Sequence, residues 1–503
     1  MQTFDITTIL VVLFFLACMV VAGLYFSSHN KTTEDYFVGN RSFSGWTIGF
    51  SMLGSIVSSM TFLALPAAAY ILDWRQLTVN LVVPFIAILT VIVFIPFFRR
   101  GKLTSAFEYL GERYGRIPRR YGAISYIILE VIRMSQILFL LAIVIEFLTG
   151  VPILWAIIAT SIVTGFYTVV GGFKAVVWTD VIQAIILLVG ALICVLWISL
   201  GVPGGFSTII EVGQEHNKFS LGAMKFDLAE RTFYTVAILG VINWLGIFGG
   251  DQNMVQRYIS ARSTREARKA TIIYTVIAVP LWTLFFFVGT SLFVYFIYNA
   301  DPLVAGLAAD QVFPYFILSR LHPFIAGVII SAAFAAAMSS LSSGINGIST
   351  VGIIDLMKPW LKKNREDSYY LKAAHGIAAV VTVMVVLGAI FFSNLEKESM
   401  NNISLIVASV FGGCIMGLFM MGFFTRRIDG FSATIALVVS IIFNIYLGLG
   451  LLGALPEAWI LPIHSYWVGA LVNGAFIVAA YIISVFRNKP GKNLEGLTVW
   501  TMK

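Results

Sequence analysis

Ala336, Ser339, Ser340 and Ser343 fall at i, i+3, i+4 and i+7 of one apolar run, and so share a single helical face. Hydroxyls on that face, opposite carbonyls freed by an interrupted neighbour, form an all-oxygen pocket of the kind that hard cations take. With few carboxylates at hand, a monovalent cation suits the pocket better than calcium or magnesium. Small residues also let helices pack closely, and that reading stands beside the first. Arg133 is the sharpest single residue. It lies in the middle of ILEVIRMSQILFL, about ten residues from either end of an apolar run. A charge at that depth costs about 3 kcal/mol or more, so it faces a cavity or a partner. A guanidinium fork matches a substrate carboxylate, whereas Glu130, three residues earlier, is the partner that helical spacing offers. Asp180 sits just inside the end of another run, as a cation ligand or as an ordinary acid of a helix's first turn. Asp73, Trp74, Arg75 and Gln76, with Asn80 beyond them, stand at the edge of a third, as a site wall or as interfacial anchors.

These residues are carried by membrane spans. The chain has 503 residues, 59% hydrophobic and 12% charged, which no soluble domain could solvate. Runs of roughly 20 apolar residues mark spans. Thirteen are expected, near 7–26, 46–70, 77–98, 124–148, 151–170, 176–200, 232–251, 270–298, 324–354, 371–392, 403–424, 431–452 and 466–486. The first is preceded by Asp5 rather than by basic residues and has no small-residue cleavage site, so it reads as a span, not a signal peptide. With the N-terminus outside, 26 of the 33 Lys and Arg residues fall on the inner side, including Arg257, and the C-terminus is cytoplasmic. The net charge of +8 is therefore loop charge facing anionic lipid rather than a nucleic-acid surface. Cys18, Cys194 and Cys414 lie in apolar runs and imply no disulfide framework, and the five histidines show no metal-ligand spacing.

Two spans contain breakers. Gly54 to Tyr70 holds Ser55, Ser58, Ser59 and Thr61 between Gly54 and Pro66, and Leu239 to Asp251 holds Gly240, Gly246, Gly249, Gly250 and Asn243. Lipid offers the backbone no hydrogen-bond partners, so such segments face protein or water. Two interrupted spans five apart, entering from opposite sides, predict an inverted five-plus-five repeat with its site at the midplane.

Blocks along the chain resemble the sodium:solute symporters. They are DYFVGNR from Asp35, TSAFEYLGERYG from Thr104, YTVVGGFKAVVWTDVIQ from Tyr167, DQNMVQRYI from Asp251 and FAAAMSSLSSGINGIS from Phe334, and the likeness runs to about Arg427. The resemblance implies an all-α leucine-transporter-like fold with one extra N-terminal and two extra C-terminal helices. It divides the chain into 1–42 (extra span and loop), 43–201 (first repeat), 202–231 (extracellular loop), 232–427 (second repeat) and 428–503 (two final spans and tail). It further implies one sodium site from the carbonyls of Gly54, Val57 and Ala336 with the hydroxyls of Ser339 and Ser340. Similarity to the sialic acid branch adds a second, from Ser339, Ser342, Ser343 and Asp180.

That branch also has an arginine matching Arg133 and the pattern SSxTFxxxPAxAYxxDW matching Ser58 to Trp74. It implies substrate contacts at Ser58, Thr61, Gln76, Asn80 and Arg133. Ile56 replaces a hydroxyl residue of that branch, Gln76 an aromatic and Asn80 a glutamine, which bears on the substrate pose. The expectation is a monomeric cell-membrane symporter, not an enzyme, that couples two sodium ions to import of a carboxylate-bearing solute, sialic acid first. Pantothenate-like or monocarboxylate-like anions, and a sodium-dependent sensor or channel, are the alternatives.

Overall fold

The computed structural model describes residues 5–27, 31–101, 103–361, 365–395, 407–487 and 493–502, and within them the architecture is all helical. Among the described residues, ten helices are long and apolar enough to cross a membrane, or eleven with one bent pair counted as a span. The elements that matter here are α1 (Ile6–Ser27), the bent pair α2 (Gly45–Ile56) and α3 (Ser59–Ile71), α4 (Arg75–Arg100), α5 (Arg116–Thr149) and α6 (Ile153–Leu200). They continue with α7 (Phe233–Gly250), α8 (Gln252–Ser260), α9 (Thr264–Tyr298), α10 (Pro323–Val351) and α11 (Asp367–Ser393). The last are α12 (Ile415–Phe424), α13 (Gly430–Leu451) and α14 (Val468–Arg487).

Burial orders these helices. The most apolar window of α10 and its continuation is 83% buried, against 17% for α1, so the serine-bearing helix is the axis and α1 lies outermost. Around α10 pack α6, α1, α5 and α2. Side chains such as Phe14, Phe85, Ile162, Leu387 and Ile442 remain exposed on the outer faces, where lipid would solvate them.

Three sequence expectations take a different form. The runs 151–170 and 176–200 form one stretch of 48 residues, α6, which leaves helical geometry only at Gly172. Its φ of 58° and ψ of −159° fall in a region essentially confined to glycine, so this residue separates the two expected spans without a loop. The run 403–424 begins at residues 403–406, outside the described residues; beyond them come a wide turn at Ala408–Gly412 and the short α12. The expected interruption within Leu239–Asp251 falls at the last residue of that stretch, between α7 and α8, and not at its glycines. Helix α7 continues through all four glycines, and the backbone becomes extended only at Asp251 (φ −72°, ψ 129°). The glycines serve close approach instead: a Cβ on Gly240 would lie 2.6 Å from the Val79 carbonyl oxygen, and one on Gly249 2.6 Å from Met420 Cε.

Charge placement also differs from the loop count. Arg257 lies on α8 and is fully buried, and Arg113 is nearly so. Lys102, Lys362, Lys363, Lys397, Lys489, Lys492 and Lys503 lie outside the described residues.

The bent pair is held from outside by α9. A Cβ on Gly289 would collide with the Pro66 carbonyl oxygen and come within 2.8 Å of Ala69 Cβ. Backbone cannot give way as a flexible side chain does, so Gly289→Ala should destabilise the protein by about 1–3 kcal/mol. A lowered midpoint of thermal unfolding in detergent checks this.

Candidate functional site

The break between α2 and α3 builds the first half of the site. Val57 (φ −80°, ψ 109°) and Ser58 (φ −108°, ψ 176°) are extended, and the two helices meet at a 59° bend. In a continuous helix the Gly54 carbonyl would accept from the Ser58 N–H. Here that N–H points to Thr61 Oγ1 at 3.4 Å, so Thr61 caps the new helix and the Gly54 carbonyl is released.

Helix α10 supplies the replacements. Ser339 Oγ donates to the Gly54 carbonyl at 2.7 Å, and Ser340 Oγ to the Ser55 carbonyl at 3.3 Å. Both hydroxyls also lie within reach of the Ala336 carbonyl, at 3.2 and 3.4 Å. The structure thus gathers Gly54, Ala336, Ser339 and Ser340, with Val57 buried beside them at the break. All are neutral oxygen donors in a water-poor setting, the chemistry a weakly charged hard cation takes.

A charged cluster adjoins them. Gly54 packs on Asp180: a Cβ there would sit 3.0 Å from the Asp180 carbonyl oxygen. Asp180 Oδ2 accepts from Ser51 Oγ at 2.7 Å and from Arg257 Nη2 at 2.7 Å. The same Nη2 donates to Ser343 Oγ at 2.8 Å, while Ser342 Oγ donates to the Ser339 carbonyl at 3.1 Å. Asp180 Oδ1 is buried and has no hydrogen-bond partner among the described residues. Sequence reasoning missed Arg257 because its position after an apolar run counted it as loop charge. The signal was there in Gln252, Asn253 and Gln256, three amides crowded beside one arginine between two spans.

On the other side of the break lies a cavity of about 650 Å³, lined by Ile56, Glu130, Arg133, Asn243, Asp251 and Asn473 among others. Arg133 is paired: Nε donates to Glu130 Oε2 at 2.9 Å and Nη2 to Oε1 at 2.6 Å. Asn253 Nδ2 donates to the same Oε1 at 3.0 Å, and the Tyr126 hydroxyl to Asn253 Oδ1 at 3.0 Å. The Glu130 partnership is therefore real, yet it uses one edge of the guanidinium only, and the Arg133 side chain stays 39% exposed. The remaining edge can take a second carboxylate. Ser58, Thr61, Gln76 and Asn80 are not among the cavity's lining residues. Gln76 and Asn80 are half-buried near the Asp73–Arg75 ion pair, where Trp74 Nε1 donates to Thr290 Oγ1 at 3.0 Å.

The helical architecture and this oxygen-lined break define a multi-pass membrane protein of the transporter class. The model of the sodium:solute symporter family matches residues 36–440, and the chain belongs to that family. It is 32% identical to the sodium/sialic acid symporter SiaT of Proteus mirabilis, over 85% of this chain and 86% of that one. Among solved structures, a Na+-coupled sialic acid symporter in a substrate-bound outward-open state matches with a TM-score of 0.89 at 29% identity. The match covers 97% of this chain and 100% of that one. The nucleobase-cation-symport-1 family transporter Mhp1, in a closed conformation, matches at a TM-score of 0.53 and 14% identity, a likeness of fold, over 91% and 94%. Sodium is the coupling ion of the family to which the chain belongs.

Removing one partner of a buried ion pair leaves the other uncompensated, which costs about 3–5 kcal/mol. Asp180→Ala, which strands Arg257, should lower the unfolding midpoint in sodium-free buffer more than Ser342→Ala does. Differential scanning fluorimetry of the two variants side by side checks the order.

Proposed function

We propose that this protein is a sodium-coupled symporter that imports sialic acid across the cell membrane by alternating access, with two sodium ions. The observation that carries the substrate class is Arg133, a mid-span guanidinium with one free edge on a cavity next to a broken helix. The likeness to sodium/sialic acid symporters narrows the class to the substrate.

Each proposed step has a local cause. One sodium ion takes the carbonyls of Gly54, Val57 and Ala336 with the hydroxyls of Ser339 and Ser340. Of these oxygens, the Gly54 carbonyl is reached by the Ser339 hydroxyl at 2.7 Å, which brings α10 to the break. The ion thereby pins α2 to α10 and holds the outward-facing form. The second ion takes Ser339, Ser342, Ser343 and Asp180. Arg133 then binds the carboxylate, while Ser58, Thr61, Gln76 and Asn80 read the polyol as the outer segments close over it. Whatever sodium does for substrate affinity, substrate does equally for sodium affinity.

The architecture assigned to this cycle is an inverted five-plus-five repeat in thirteen spans, with the N-terminus outside and the C-terminus cytoplasmic, acting as a monomer. The thirteenfold count follows if α6 is two spans divided at Gly172 and the segment ending in α12 is one. A second reading rests on Ile56, an apolar side chain on the wall of the cavity that Arg133 also lines. It favours a smaller carboxylate with an apolar body over a polyol acid, and competition between the two classes of anion separates the readings.

Counterflow of labelled sialic acid in proteoliposomes should require sodium on both faces and saturate; uptake indifferent to sodium would sink the proposal. Arg133→Ala should lower sialic acid affinity at least about 100-fold, as expected for loss of a bidentate charged contact worth roughly 3 kcal/mol. Isothermal titration at saturating sodium reads this directly. Ser342→Ala should reduce the sodium Hill coefficient of uptake from about two towards one, since one of two cooperating ions is lost. Initial rates across a sodium series show whether it does.

A further inference from the structure

The ion pair between Asp180 and Arg257 is fully buried, and its members come from different parts of the fold. Arg257 is on α8, directly after the break at Asp251, and Asp180 is on α6. Four bonds hold the guanidinium. Nη2 reaches Asp180 Oδ2 (2.7 Å) and Ser343 Oγ (2.8 Å), Nε reaches Ser51 Oγ (2.9 Å), and Nη1 reaches the Asn253 carbonyl (2.8 Å). Two of these anchors, Asp180 and Ser343, belong to the set assigned above to the second sodium ion. The other two, Ser51 on α2 and Asn253 on α8, do not. The guanidinium therefore keeps a footing when its bonds to the sodium ligands give way.

We propose that Arg257 is a tethered cation that shares Asp180 with the second sodium ion and sets how tightly that ion binds. The inference rests on the two-ion symport reading. A sodium ion arriving at Asp180 meets a carboxylate whose charge is already compensated. One of its oxygens accepts from both Arg257 and Ser51, and Oδ1 has no hydrogen-bond partner among the described residues. The ion can use Oδ1 with the Ser342 hydroxyl, but Ser343 Oγ already accepts from Nη2, and the guanidinium charge lies within a few ångströms. Repulsion between unit charges at that range in a low dielectric is large.

The consequence for transport is release. A lone buried carboxylate would hold sodium tightly, whereas a site must bind strongly enough to fill and weakly enough to empty. With Arg257 in place, the carboxylate is never left uncompensated when the ion departs, because the arginine recovers both anchors. The same side chain ties α2, α6, α8 and α10 together, so ion occupancy is felt where the bent pair begins.

The test uses the purified full-length protein without any organic solute. Sodium chloride is titrated against choline chloride at constant ionic strength, and tryptophan fluorescence and thermal unfolding are read. Arg257→Gln should lower the half-saturating sodium concentration roughly tenfold or more while keeping the titration cooperative, because the competing charge is gone. Arg257→Lys keeps the charge and should stay within about threefold of the unmodified protein. The double variant D180N/R257Q removes both charges together, so it should fold but lose the cooperativity.

An unchanged or higher half-saturating concentration in R257Q overturns the role of Arg257. If R257Q cannot be purified, Arg257→Met, which removes the charge and keeps the apolar stem, should lower half-saturation by the same roughly tenfold. No change or a rise there overturns the proposal equally. A non-cooperative titration in the unmodified protein overturns the two-ion reading itself, which distinguishes that failure from a failure confined to Arg257.

Discussion

Everything around the site follows from one constraint: a membrane helix interrupted at Val57 and Ser58 must find hydrogen-bond partners for the carbonyls it releases. Hydrocarbon supplies none, so the partners come from protein. Helix α10 provides them through Ser339 and Ser340 at 2.7 and 3.3 Å, which explains why this helix is the most buried of the long spans. It also explains a run of small residues there, since larger side chains would hold α2 too far away for hydroxyls to reach its backbone. A bond of this kind is replaceable. A hydroxyl hydrogen and a monovalent cation both satisfy a carbonyl oxygen, so one can take the other's place at the same backbone group.

The buried charges obey a related rule. Glu130 with Arg133, Asp180 with Arg257 and Asp355 with Arg119 each pair across short distances, 2.6 to 2.8 Å. None is a surface ion pair, and such pairs stabilise little unless every remaining donor and acceptor is occupied. They differ in what is left over. Arg133 keeps one edge exposed to a cavity, and Asp180 keeps one oxygen without a partner among the described residues. Asp355 Oδ2 likewise has no hydrogen-bond partner among the described residues, but Asp355 belongs to neither proposed ion site nor the proposed solute contacts.

Much of this was legible in the sequence because membrane folding constrains it so strongly. Apolar length revealed the spans, the spacing of Ala336, Ser339, Ser340 and Ser343 revealed a hydroxyl face, and depth alone marked Arg133. Other features were not legible, for identifiable reasons. Gly172 falls in the gap between the runs 151–170 and 176–200, so the boundary was legible; that it carries no loop was not, because one glycine at positive φ redirects the chain without one. The glycines of α7 looked like breakers, because a residue without a side chain serves close packing and helix interruption equally well; only contact with Val79 and Met420 decides. Arg257 was counted with the loops because positive-inside counting assumes that a basic residue after a span is solvated. Burial of the short helix α8 between two spans removes that assumption.

The break gives the two halves of the site a common mechanical part. Gly54 faces α10 and Asp180, Ile56 faces the cavity that Arg133 lines, and only Ser55 separates them. An ion that fixes the Gly54 carbonyl therefore fixes the orientation of Ile56 and of the cap formed by Ser58 and Thr61. No longer path through the protein is needed to couple ion to solute. With the ion and solute sites proposed above, the coupling would span one interrupted turn, and its strength would depend on how far that turn differs between the two conformations.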